Sequence, residues 1–158
     1  MAVRDFSHLD EAGKARMVDV SAKQKVRRSA RAAGAIFLSP ATLQAIRQNL
    51  IEKGDVLATA RIAGITAAKR TAELIPLCHN IAIDWLDVQF ELHEELIEIR
   101  STAVCTDKTG IEMEALTAVT VAALTIYDMC KAVDDGMRIG EIRLLEKTKK
   151  TSGDTGDA

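Results

Sequence analysis

The chain has 158 residues and a mass of 17.1 kDa; with 47% hydrophobic and 28% charged residues it is neither a disordered nor a fibrous protein, and its length suits one domain with a closed core. Lys plus Arg number 21 and Asp plus Glu 23, a net charge of −2, and aromatics are only 3%, so neither total charge nor stacking capacity points to nucleic acid. No apolar run reaches bilayer length, Met1–Asp5 has no apolar signal core, and the three scattered cysteines (Cys78, Cys105, Cys130) are no disulfide framework; a cytoplasmic chain without a membrane span is expected.

Residues 1–17 show no period and read as a flexible arm before a single domain over 18–147. Residues 33–38 read as a strand. Ser39-Pro40 then starts a helix, because the serine hydroxyl caps free backbone donors and proline needs none at that position. Gly54 ends that helix, and Asp55 caps the next, expected over Val56–Thr71 and closed by Pro76. Gly64 in its middle costs about 1 kcal/mol of propensity, so a close packing contact is expected there.

Ile81, Ile83 and Trp85 alternate, then Val88, Phe90 and Leu92 alternate on the other parity, which predicts a bulge at Leu86–Asp87. A turn at His93–Glu95 leads into Ile97, Ile99, Ser101, Ala103 and Cys105, with Glu98 and Arg100 facing out. The strongest helix is predicted over 113–133, stopped by Asp134-Asp135-Gly136; a last strand follows over Ile139–Leu145, and 148–158 read as a polar tail. This order predicts an α+β fold: a ferredoxin-like split βαβ sandwich with an extra helix, its antiparallel sheet packed by helices.

Charge is unevenly spread. Lys14–Arg31 holds seven basic residues and one acid, whereas Asp84–Glu98 holds six acids and no Lys or Arg. The basic stretch is either a solvated face or a local site for a small polyanion. Asp128 and Lys131 stand three apart on one helix face, beside the apolar stripe; they form either a surface pair or a half-buried pair able to move protons. Glu112 and Glu114 either favour the start of the long helix or jointly hold a guanine-type edge or a divalent ion; two residues apart, they serve one site only where the chain enters the helix. His79 in Leu77-Cys78-His79-Asn80 has no partner with zinc-ligand spacing, so no metal centre is assigned. Lys53, Lys69 and Arg70 add cations.

Six blocks carry a resemblance: 17–23 (MVDVSAK), 53–64 (KGDVLATARIAG), 68–71 (AKRT), 74–79 (LIPLCH), 108–116 (KTGIEMEAL) and 124–132 (LTIYDMCKA). In this order they resemble the cyclic pyranopterin monophosphate synthase family of molybdenum cofactor biosynthesis, over residues 8–154. The resemblance implies a phosphorus–oxygen lyase that converts 3',8-cyclo-7,8-dihydroguanosine 5'-triphosphate, made by a preceding radical enzyme, to cyclic pyranopterin monophosphate and pyrophosphate. It implies a homohexamer, a trimer of dimers, with sites between subunits. Catalytic positions fall on Asp128, Lys131 and Lys53. Substrate-binding positions fall on Leu77, Cys78, His79, Glu112, Met113, Glu114, Arg27, Lys69 and Lys147. No cofactor is required, though Mg²⁺ suits a triphosphate near carboxylates. The chain departs from the family pattern at Asn80, where proline is usual, at Asp107, where glycine is usual, and at Lys149-Lys150, where two glycines are usual. The alternatives are a nucleotide- or pterin-binding oligomer without turnover, or an accessory subunit of cofactor assembly.

Overall fold

The computed structural model describes residues 13–150. In chain order the elements are β1 (Val26–Phe37), α1 (Pro40–Arg47), α2 (Val56–Ala68), the single turn α3 (Thr71–Leu74), β2 (Trp85–Leu92), β3 (Leu96–Asp107), α4 (Glu112–Cys130) and β4 (Arg138–Lys150). The strands form one sheet in the order β2-β3-β1-β4, every neighbouring pair antiparallel. This is the expected split βαβ arrangement, with helices packed on the sheet.

Local side-chain chemistry sets the helix starts as expected. The Ser39 hydroxyl accepts from the Thr42 N–H, Pro40 opens α1, and the Asp55 carboxylate accepts from the Ala58 N–H to open α2. At their other ends, α2 stops at Ala68 rather than Thr71, and α4 stops at Cys130 rather than 133.

The strands differ more from expectation. β1 begins at Val26, seven residues before the expected Ala33, and pairs with β3 from Val26 opposite Asp107 onward. Its early half, Val26 to Arg31, holds three arginines with Ser29 and Ala30 and no alternation of large apolar residues, so the period-2 signal is faint. β2 has no bulge: its register runs unbroken from Trp85 opposite Val104 to Leu92 opposite Ile97. The parity change arises because Ile81 and Ile83 precede the strand. Irregularities fall instead between β1 and β4, near Glu141, whose φ is 56°. β4 runs on through Lys150, taking the first three residues of the expected tail. The remainder of that tail, 151–158, and residues 1–12 of the expected arm lie outside the described residues.

The core lies between α4 and the sheet. Ala115, Ala118, Val119, Ala122, Ala123 and Ile126 of α4 are fully buried, against Ile36, Ile97, Ile99 and Ala103 of the sheet. Contrary to the sequence expectation, α4 is long and apolar enough to cross a bilayer by length and composition; here it is the central core helix. Two glycines let it approach its neighbours. A Cβ on Gly64 of α2 would lie 2.8 Å from the Ala118 carbonyl oxygen, and one on Gly34 of β1 would lie 2.7 Å from a Val119 methyl. Lys53, just before α2, meets Asp128, and Gly64 meets Ala118, so α2 runs antiparallel to α4. Its C-cap, Lys69, therefore lies level with the start of α4.

Candidate active site

Cations gather around a carboxylate at the C-terminal end of α4. Lys53 Nζ lies 2.9 Å from Asp128 Oδ2 and donates to the Asp128 carbonyl oxygen at 2.8 Å; Lys131 Nζ lies 2.7 Å from Asp128 Oδ1. Both ammonium groups also complement the negative end of the helix dipole. Hydrogen bonds from Lys131 and then Lys53 hold the Asp128 carboxyl down at about 2, and the same contact raises the Lys131 ammonium. All three side chains are roughly half exposed. Lys131 is therefore held as a protonated cation, not as a desolvated lysine tuned toward neutrality.

At the other end of α4 lies a cavity of about 410 Å³, walled by 77–79 and Ile81, by Thr109, Gly110 and 112–114, and by Val18, Val20 and Lys23. His79 Nε2 donates to the Val18 carbonyl at 2.8 Å, and Lys108 Nζ donates to the Ser21 carbonyl at 2.8 Å. These two bonds fasten residues 18–23 across the mouth. A carbonyl only accepts, so His79 carries its proton on Nε2, leaving Nδ1 for other work.

Glu114 is the unusual group in this cavity. It is only 3% exposed, and its Oε2 has no hydrogen-bond partner. Burial pushes its carboxyl up to about 7; a hydrogen bond from its own backbone N–H opposes the rise, and the Glu112 charge adds to it. The Cys78 thiol is raised as well, first by burial and then by Glu114. A buried carboxyl with a free oxygen and a partly protonated population at neutral pH can give or take a proton, and can pair with N–H groups of a ring.

Glu112 leaves the cavity wall toward β4, where its Oε1 lies 3.1 Å from Lys147 Nζ. A second cleft of about 300 Å³ opens there, lined by Arg28, Ser29, Lys147, Thr148 and Lys149 and by the 110–112 segment. The two clefts share Gly110 and Glu112. A Cβ on Gly110 would meet only the Glu112 carboxylate, the movable end of a side chain that borders both clefts.

The structure therefore divides the sequence-derived set. Leu77, Cys78, His79, Glu112, Met113 and Glu114 share one cavity, with Lys147 beside it and Lys69 level with it. Asp128 lies 14 residues beyond Glu114 along α4, about 21 Å away at 1.5 Å per residue, with Lys53 and Lys131 beside it. Arg27 is exposed, opposite Thr106 and Lys150, and lines neither cleft. Its neighbour Arg28 lines the second cleft instead, as does Lys149, noted in the sequence only as a departure from the family pattern; Val18, Val20, Lys23, Ile81, Thr109 and Gly110 also line the two clefts without having been named as site residues. The basic run held Lys23 and Arg28, but nothing in the run ranks one cation above another. A cluster of Glu91, His93 and Glu98 brings three ligand atoms within 4.8 Å of one another, but lies on the β2–β3 hairpin, where Arg100 already bonds Glu98 at 2.7 Å.

The family model of the MoaC family matches residues 17–150. A cyclic pyranopterin monophosphate synthase of Peptoclostridium acidaminophilum is 56% identical over 150 residues, covering 95% of this chain and 96% of that protein. One of Parvibaculum lavamentivorans is 52% identical, covering 99% and 98%. A molybdenum cofactor biosynthesis bifunctional protein of Chlorobaculum tepidum is 54% identical over 144 residues, covering 91% of this chain and 46% of its own length.

Proposed function

The chain belongs to the MoaC family, and we propose that it acts as a cyclic pyranopterin monophosphate synthase in molybdenum cofactor biosynthesis, on 3',8-cyclo-7,8-dihydroguanosine 5'-triphosphate. A sugar hydroxyl attacks the α-phosphorus in line, its proton leaves to a base, and the bond to the bridging oxygen of the departing pyrophosphate breaks. Pyranopterin closure also needs protons moved at ring and sugar atoms. The Asp128–Lys131–Lys53 cluster supplies charged acid–base groups. The Glu114 cavity has the size and the polar lining for the guanine-derived ring system. Lys147 stands on the phosphate side, Lys69 is a further cation level with the start of α4, and His79 ties the cavity wall to Val18.

One observation carries the arrangement: the acid–base cluster and the cavity lie at opposite ends of a single helix. A substrate of this size cannot touch both within one subunit. The active site is then completed between two copies, the N-terminal end of one α4 facing the C-terminal end of its partner's. That supports a homo-oligomer built from dimers, with a twofold pair giving two equivalent sites. Such an interface also desolvates Lys131, which a single subunit leaves exposed.

The test is turnover of freshly prepared cyclic triphosphate, following pyrophosphate and pyranopterin together. One-to-one formation of both establishes the synthase. Tight binding with neither product moves the reading to a binding protein.

A further inference from the structure

Asp134 follows α4 in the Asp134-Asp135-Gly136 stop, and its carboxylate reaches back to another element. Its Oδ2 accepts at 2.8 Å from the N–H of Ser39, the residue that caps α1. Its Oδ1 accepts from the Gly136 N–H at 3.2 Å, within its own turn. Its backbone N–H donates to the Cys130 carbonyl at 3.1 Å, so this turn stays attached to the last residue of α4. Burial by itself raises the Asp134 carboxyl, but bonds from Ser39 and Thr42 outweigh it and hold the group below its ordinary value. An ionised carboxylate therefore stands at the positive end of α1. Its neighbour Asp135 is exposed and makes no hydrogen bond or ion pair among the described residues.

Helix α1 connects this anchor to Lys53. Leu43 and Ile46 bury its inner side. A Schellman turn closes its far end: Asn49 takes a φ of 55°, its N–H donates to the Ile46 carbonyl at 3.1 Å, and the Leu50 N–H donates to the Ala45 carbonyl at 2.9 Å. Ile51 is buried, and the Gly54 N–H donates to its carbonyl at 2.9 Å, forming the turn that carries Lys53. The helix is about 12 Å long at 1.5 Å per residue. Its start is bonded to Asp134 just beyond α4, and the turn after its end delivers Lys53 Nζ to Asp128 Oδ2 at 2.9 Å, in the last turn of α4.

We propose that Asp134 is a positioning residue for the Lys53–Asp128–Lys131 cluster: it fixes the start of α1 on the turn after α4, and α1 in turn holds the Lys53 ammonium on Asp128. Asp134 lies outside the cluster and acts through the helix. A lysine side chain is long and rich in rotamers, so its ammonium stays on one carboxylate only while the backbone that carries it is fixed. The Asp55 cap of α2 fixes one side of the 51–54 turn, and α1 fixes the other. That the cluster moves protons rests on the synthase reading; that Asp134 places Lys53 does not.

The placement is read without turnover. Lysines of the full-length protein in its native assembly are acetylated with limiting acetic anhydride, and the rate at each lysine is followed by peptide mass spectrometry. An ammonium held in hydrogen bonds reacts slowly. Asp134→Ala removes the acceptor, whereas Asp134→Asn keeps an oxygen for the Ser39 N–H. Asp135→Ala removes an equal charge without a bond. Ser39→Pro removes the donor, together with the hydroxyl cap, at a φ of −65° that proline accepts. We expect Lys53 to label about tenfold faster in Asp134→Ala and in Ser39→Pro, the size of one charge-assisted hydrogen bond. Asp134→Asn and Asp135→Ala should stay near the wild-type rate, and Lys69, at the far end of α2, should be unchanged throughout. In turnover, kcat of Asp134→Ala should fall by about tenfold with little change in KM, the mark of a misplaced group rather than of lost binding. An unchanged Lys53 rate in both Asp134→Ala and Ser39→Pro overturns the proposal. Equal acceleration at Lys53 and Lys69 also overturns it, because the fold as a whole has then loosened. If Lys53 responds as expected while even the wild type does not turn over the cyclic triphosphate, the positioning stands and the synthase reading fails.

Discussion

Asp128 and Glu114 are two carboxyls on one helix whose surroundings shift them in opposite directions. The two lysines hold Asp128 ionised, so its pairing contributes to the fold above the ordinary carboxylate range and is lost only as pH falls through about 2. Between pH 5 and 8 its charge is constant. Asp128→Asn should therefore unfold in parallel with the wild type across that range, while turnover falls by about 10²- to 10⁴-fold, the usual weight of a general acid–base group. Retained turnover would remove Asp128 from the chemistry. Glu114 behaves in the reverse sense. Its folded value of about 7 lies above the ordinary 4.5, so the unfolded chain gives up this proton first and stability falls as pH rises from 4.5 to 7. Glu114→Gln cannot ionise. Its urea stability should match the wild type near pH 4.5 and exceed it by at most about 3 kcal/mol at pH 8, at roughly 1.4 kcal/mol per pH unit. A gain that is the same at pH 5 and pH 8 would show that Glu114 does not titrate in this interval.

At the scale of elements, the contact between α2 and α4 fixes the spacing of the two site ends. Gly64 stands where a Cβ would press on the Ala118 backbone carbonyl, which cannot swing aside as a side chain would. Gly64→Ala gains about 1 kcal/mol of helix propensity but forces the helices apart, a misfit worth roughly 1–3 kcal/mol. The expected result is a net loss of stability in thermal unfolding, together with a weaker Lys53–Asp128 contact; a stabilised variant would mean that α2 shifts freely. This glycine was legible in the sequence as a close approach, as were the caps Ser39 and Asp55, because each depends on chemistry within a few residues. The start of β1 was not. Three arginines among Ser and Ala carry little hydrophobic signal, and the strand is set by backbone pairing with residues some 70 to 80 positions away. The site shows the same division. The residue types in the motif blocks announced acid–base and anion chemistry, but which of them share space depends on the length of α4 and on long-range pairs. Arg28 is set apart from Arg27 by taking the other face of β1 and by carbonyls 79 and 80 residues distant.

At the scale of the whole molecule, the two ends of α4 lie apart within one chain. About 21 Å of helix, 14 residues at 1.5 Å each, separates Glu114 in the cavity from Asp128 in the Lys53–Asp128–Lys131 cluster, and nothing among the described residues folds back to close the gap. If catalysis uses both, damage at the two ends should complement. Lys131→Ala disables the C-terminal half of every site, and Glu114→Ala disables the N-terminal half. Each variant alone should be inactive as a homo-oligomer. Dissociated, mixed one to one and reassembled at random, half of the twofold pairs contain one subunit of each kind. Each such mixed pair holds one site with both halves intact and one with neither, so activity should return to about a quarter of the wild-type value. A site contained within one subunit predicts no recovery, because every chain in the mixture still carries a lesion. Recovery should also depend on exchange: mixing without dissociation leaves the parent oligomers unchanged and the activity absent. Restored activity at about one quarter, appearing only after subunit exchange, would place the two ends of α4 from different copies around one substrate.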